Sequence, residues 1–174
     1  MDDFSVVNIL DLINTVGESE VSKALLSFEC DKNKEIEKYL HNNAIDFSKR
    51  KISVTHLVLD NNANIVGYFA LTHKPMRIPT NLLSNTAKKK IERWTKLDDA
   101  TNSYDASAFL IAQFGKNSAL NTNISGNTMM DMAISILHAV QKQVGGGIVF
   151  LECECNDKLL DFYQNENNKF IVYG

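Results

Sequence analysis

Apolar positions along the chain change period several times, and those changes predict its elements. Between Asn8 and Phe28 an apolar stripe runs through Leu12, Val16, Leu25 and Phe28 and is broken near Gly17, which predicts one or two helices. From Asp31 to Asn43, Ile36, Tyr39 and Leu40 share one side of a charged, amphipathic helix. The texture then turns β-branched: ISVTHLVLD and NIVGYFALTHKPMRI, joined by NNAN, read as a strand hairpin. KKKIERWTKL predicts a short helix with Ile91, Trp94 and Leu97 inward, and ASAFLIAQF at 106–114 a third strand.

From Gly126 to Gln143, Met129, Met130, Ala133, Ile136, Leu137 and Val140 repeat at helical spacing until Gly145–Gly147 stop the helix. GIVFLECEC predicts a near-continuous strand, NDKLLDFYQNEN a helix capped by Asn156, and KFIVYG a last strand. Strand, helix and strand from 106 to 155 form a βαβ unit beside the hairpin. The expected fold is therefore α+β, with a mixed, mostly antiparallel sheet flanked by helices.

Composition narrows the class. The chain has 174 residues, is 44% hydrophobic, and contains no linker-like run, so a single domain over 1–174 is expected. Lys and Arg total 18 against 21 acids, which provides no global drive toward nucleic acid or membrane. The acidic start and the lack of a spanning apolar run point to a cytoplasmic protein. Three cysteines, Cys30, Cys153 and Cys155, read as free thiols buried as small hydrophobes, and no metal site is expected.

Chemistry is most legible at Gly126, where a strand passes through a loop into a helix. Such a junction presents backbone N–H groups and a positive dipole end, as binding a pyrophosphate requires. Here the chain resembles the GNAT N-acetyltransferases, whose fourth strand leads through a Q/R-x-x-G-x-G/A loop into a helix. FLIAQFGKN stands at the strand, Asn117 to Gly126 matches the spacing to the last loop glycine, and GNTMMDMAI resembles the helix start. NIVGYFAL is similar to the family's third strand, GGIVFLECE to its fifth, and LLDFYQNEN to its last helix. FECDKNKEIEKYL resembles the N-terminal region of the toxin-like branch. The likeness covers about residues 28–174.

The resemblance implies acetyl-CoA as co-substrate and direct acetyl transfer to a primary amine on a protein, an aminoacyl-tRNA or a small molecule. It implies Tyr163, of the Phe162–Tyr163 pair, as general acid at the CoA sulfur, and the strand backbone at Phe114, Gly115 and Lys116 as the seat of acetyl carbonyl and pantetheine. Asn121, Ile124, Ser125, Gly126 and Asn127 would hold the pyrophosphate, with Asn156 also toward the cofactor. Glu152, with Glu154 on the same strand face, is the candidate base. His56 and His73 are candidates for an acceptor groove. Lysines 88–90 are the candidate tRNA contact, and a second copy or an antitoxin-type protein the implied protein partner.

Departures from the family pattern are specific. Asn121 and Ile124 replace the loop's Q/R and first glycine, and Asn167 replaces a terminal glycine at a turn that asparagine tolerates. The chain is also expected to be one strand short at its C-terminal end. These departures motivate a different class as alternative: a catalytically weakened GNAT-fold module that binds CoA or a protein.

Overall fold

In the computed structural model, which describes residues 4–173, β1 (Ser5–Asn8) runs directly into α1 (Ile9–Val16). Asn8 both ends the strand and caps the helix, its side chain accepting from Leu10 N–H at 2.9 Å. Gly17, at φ 90°, breaks the stripe as expected, and α2 (Glu18–Leu25) follows. Next come α3 (Lys34–Asn42), α4 (Ala44–Lys49), and the antiparallel hairpin of β2 (Val54–Leu59) and β3 (Ile65–Pro79).

A 3-10 turn at Thr80–Leu82 leads to α5 (Asn85–Ile91) and β4 (Leu97–Asp98). β5 (Ser103–Lys116), α6 (Gly126–Val144), β6 (Val149–Phe150) and α7 (Asp157–Gln164) complete the order. The strands form one sheet in the order β1-β2-β3-β5-β4, with β6 parallel to β5 through Phe109↔Val149 and Leu110↔Phe150. The mixed, mostly antiparallel sheet is the one expected. Among the described residues no helix is long and apolar enough to cross a membrane.

The chain forms two compact units, and β3 and β5 run through both. One holds the residues up to Thr72 with Ile111–Ser135; the other holds His73–Leu110 with the chain from Ile136 onward. The first is built on Ile9, Leu25, Phe28, Leu40, Leu57 and Tyr68, all at most 1% exposed. Each such side chain contributes about 1.5–3 kcal/mol by leaving water. Helix approach there depends on Gly67 and Gly115. A methyl group at Gly67 would lie 2.6 Å from Met129 Cε, and one at Gly115 would lie 2.5 Å from Ile36 Cγ2. The absent side chains thus let α6 and α3 pack closely on the strands. The second unit packs Met76, Ile78, Tyr104, Ala108 and Phe150 together.

Several expectations fail for one reason: a strand is a pairing arrangement, and periodicity does not reveal the partner. β6 pairs with β5 over two residues only, so 151–156 is irregular and Glu152 and Glu154 share no strand face. Cys153 and Cys155 are therefore exposed, and only Cys30 is buried. The segment 169–173 is not a strand, leaving Ile171 and Val172 about half exposed. β1 and α4 went unread because each is short. At the final turn Lys169, not Asn167, takes the left-handed conformation, at φ 55°. On α6, Val140 is exposed rather than inward.

α5 ends at Ile91, out of phase with the continuation read from sequence, so Trp94 and Leu97 are 52% and 38% exposed instead of inward. The end of α6 behaves as expected. Gly145 and Gly146 adopt φ 80° and 92°, Gly145 N–H donates to Gln141 C=O at 2.8 Å, and the Gln141 side chain donates to Gly146 C=O.

His56 lies on β2, stacked on Phe69 at 5.4 Å and 8% exposed. Burial lowers its pKa below the ordinary 6.5, against the opposing pull of the Val54 carbonyl and Asp11. The unfolded chain therefore takes up this proton first as pH falls. Stability should drop as pH decreases below about 6.5 and level off below the folded pKa, with a slope of at most about 1.4 kcal/mol per pH unit. Urea denaturation of the parent and His56→Phe across pH 5–8 should show that component of the slope disappear in the variant.

Candidate functional site

The residues singled out from sequence fall into both units. In the first, Phe114, Gly115 and Lys116 end β5, and the following loop reaches the start of α6 in ten residues. Among the described residues β6 reaches no farther along β5 than Leu110, so β5 runs on past its β6 partner from Ile111.

The loop is held by Asn117, which is 3% exposed and was not singled out in the sequence. Its backbone N–H donates to Val66 C=O at 2.9 Å. Its carboxamide oxygen accepts from Glu29 N–H at 3.1 Å and Ala119 N–H at 3.0 Å. Its amide group donates to Ile65 C=O at 2.8 Å and Ser27 C=O at 3.3 Å. Ser118 adds a second tie, its N–H donating to Glu29 C=O at 2.8 Å. A polar residue directly after an apolar strand was the only sequence signal for this clamp.

Ile124 replaces a loop glycine without strain, because it is absent from the positive-φ residues and its side chain is 1% exposed. It plugs the loop into the core. Its N–H donates to Thr122 Oγ1 at 3.3 Å, and its carbonyl accepts from Lys116 Nζ. Ser125 caps α6, its hydroxyl accepting from Thr128 N–H at 2.9 Å. Gly126 and Asn127, both half-buried, form the first turn, with Asn121 exposed on the loop. A cation and a helix N-terminus therefore meet at one loop, a favourable setting for an anion.

In the second unit Tyr163 sits half-buried on α7, with its ring edge-to-face against Phe162 at 4.9 Å and Phe170 at 6.0 Å. Its carbonyl accepts from Phe170 N–H at 3.0 Å. Burial, and then the neighbouring Cys153, push its pKa up to about 12. The phenol thus keeps its proton at neutral pH. Asn156 does what its helix position predicts, accepting from Leu159 N–H at 3.0 Å as the cap of α7. Glu152 is exposed on the irregular 151–156 stretch.

The two histidines part company. His56 is buried against Phe69. His73 hydrogen-bonds Ser107 Oγ on the wall of a cleft of about 410 Å³, floored by Phe109, Val140 and Val144. Among the described residues no three His, Cys, Asp or Glu groups come together as a metal site.

Neither a protein-family model nor a curated protein sequence matches the chain. Solved structures do. AtaT complexed with acetyl-methionyl-tRNAfMet aligns at TM-score 0.68 and 16% identity, over 95% of this chain and 92% of that one. A tyrosine-to-phenylalanine mutant of KacT aligns at 0.67 and 16%, over 92% and 83%. AtaTR bound with AcCoA aligns at 0.62 and 16%, over 97% and 91%. The chain therefore has the GNAT fold in the form of these toxin structures. At this identity the likeness extends to the fold alone.

Asn117→Ala would leave Ile65 C=O buried without that partner, a cost of about 1–3 kcal/mol, and would release Glu29 N–H and Ala119 N–H as well. Chemical denaturation should show a loss of at least that order. An unchanged midpoint would mean that the carboxamide does not hold the loop.

Proposed function

We propose that the chain is an N-acetyltransferase that moves the acetyl group of acetyl-CoA to a primary amine, borne by an aminoacyl-tRNA. The observation that carries this is the loop and first turn of α6, where Gly126, the Ser125 cap and the Lys116 cation offer a pyrophosphate both dipole and charge. Support for the donor comes from the fold shared with AtaTR bound with AcCoA, and for the acceptor from that shared with AtaT complexed with acetyl-methionyl-tRNAfMet.

The residues at hand suit direct attack. The strand backbone near Gly115 and Lys116 would seat the thioester, as the family resemblance implies. The amine nitrogen bonds to the acetyl carbon as the carbon–sulfur bond breaks, and Tyr163 gives its proton to the departing sulfur. Glu152, exposed to solvent, would take the amine proton through water. A cationic Lys116 stands in for the Q/R that Asn121 replaces in the loop.

One observation favours a second reading. Ile124 N–H is already engaged by Thr122, which removes a donor that the family's loop offers. A module that binds CoA weakly and does not turn over follows from that.

Calorimetric titration with acetyl-CoA decides between them, together with single-turnover acetylation of aminoacyl-tRNA. Gly126→Glu places bulk and negative charge at the first turn and should weaken cofactor binding by at least a hundredfold; retained affinity would sink the loop assignment. Tyr163→Phe should lower kcat by roughly tenfold to a thousandfold with little change in acetyl-CoA affinity, because the hydroxyl acts only as thiolate develops. An unchanged kcat would remove Tyr163 from the mechanism.

A further inference from the structure

Against an acidic chain, residues 88–96 stand out: Lys88, Lys89, Lys90, Arg93 and Lys96 accompany a single acid, Glu92. Among the described residues none of these five cations is in an ion pair, and all but the half-buried Lys88 are exposed. Glu92 is itself occupied, accepting from Tyr104 Oη at 2.7 Å. Within this cluster lies Trp94, the only tryptophan of the chain and 52% exposed.

The placement of Trp94 is built. Its indole lies directly over Gly147, where any added Cβ would run into the six-membered ring. Its backbone N–H donates to Ile91 C=O at 2.8 Å, and next to it Thr95 Oγ1 donates to Asp105 C=O at 2.6 Å. The segment is thereby tied to β5 at Tyr104 and Asp105. One ring face is covered by backbone, and about half of the side chain meets water among unpaired cations. An apolar ring this exposed gains nothing for stability that burial would not have provided better.

We infer that Trp94, seated on Gly147 and flanked by Lys89, Lys90, Arg93 and Lys96, is a stacking platform for an unpaired base of a single-stranded nucleic acid. The cations take the adjoining phosphates. Stacking on an aromatic face is open to any base, while cations along the same path set affinity and its salt dependence. A duplex buries its base faces, and an acidic peptide has none, so neither satisfies the ring. The inference rests on the acetyl-transfer reading only for its purpose, which is to hold the unpaired acceptor end of an RNA.

Because Trp94 is the sole tryptophan, its fluorescence reports stacking directly. The intact protein, without acetyl-CoA, is titrated with oligoadenylate of roughly 10 nucleotides, the DNA strand of the same sequence, a DNA duplex and polyglutamate. Quenching by the single strands, and not by duplex or polyglutamate, is expected. The difference between the RNA and DNA arms identifies which strand is held.

Trp94→Leu, followed by anisotropy of labelled oligonucleotide, should weaken binding about tenfold or more, with Trp94→Phe recovering part of it. Lys89→Gln with Lys90→Gln should lower the slope of log affinity against log salt by about 0.7 for each phosphate no longer neutralised. Equal quenching by polyglutamate, or unchanged affinity in a folded Trp94→Leu, would overturn the platform. Acetyl-CoA binding and acetylation with no quenching overturn the platform and leave the acetyl-transfer reading standing. Quenching without acetyl-CoA binding supports the platform and sinks that reading.

Discussion

The carboxamide of Asn117 is the interaction on which the candidate site depends. One nearly buried side chain donates to β3 and to the turn after α2, and accepts from that turn and from its own loop. Buried donors and acceptors are costly unless matched, so four matched bonds on one planar group allow very few positions for the chain that follows. That chain leads to Ile124, buried as a plug, and to the Ser125 cap of α6. The start of the helix is thus placed largely by polar accounting around Asn117, with the Ser125 cap and the Lys116 bond to Ile124 C=O completing it.

Two glycines complete this placement from opposite directions. Gly67 makes room for Met129 on α6, and Gly115 makes room for Ile36 on α3. Neither position requires left-handed backbone; each requires the absence of a side chain where a helix approaches the sheet. Close packing then transmits helix position to the loop, since interiors have little free volume to absorb a shift. The loop's departures from the GNAT pattern become understandable here. Ile124 exchanges glycine's conformational freedom for burial, and Lys116 brings charge to a loop whose first position is the neutral Asn121.

The second unit holds Tyr163, the candidate proton donor, and the exposed Trp94. Tyr163 owes its raised pKa mainly to burial, so its protonation state depends on the packing around α7. Trp94 shows the reverse case: an apolar ring kept half in water by a glycine beneath it and hydrogen bonds to β5 beside it.

Much of the fold was legible in sequence because its signals are local. The hairpin at 54–79, the helix from Gly126, the Gly17 break, the Asn156 cap and the glycine stop at 145–146 each follow from side-chain periodicity or from what one residue's backbone allows. The helix start at Gly126 was readable for the same reason, whereas the Phe162–Tyr163 pair was picked out only by its resemblance to a family motif. What only the tertiary structure decided was pairing and burial. β6 stops at Phe150, the 169–173 segment is not a strand, Cys153, Cys155 and Trp94 face water, and Asn117 is buried with its carboxamide matched. Each of these depends on a group distant in sequence, and a side chain's own pattern carries no record of what it will meet.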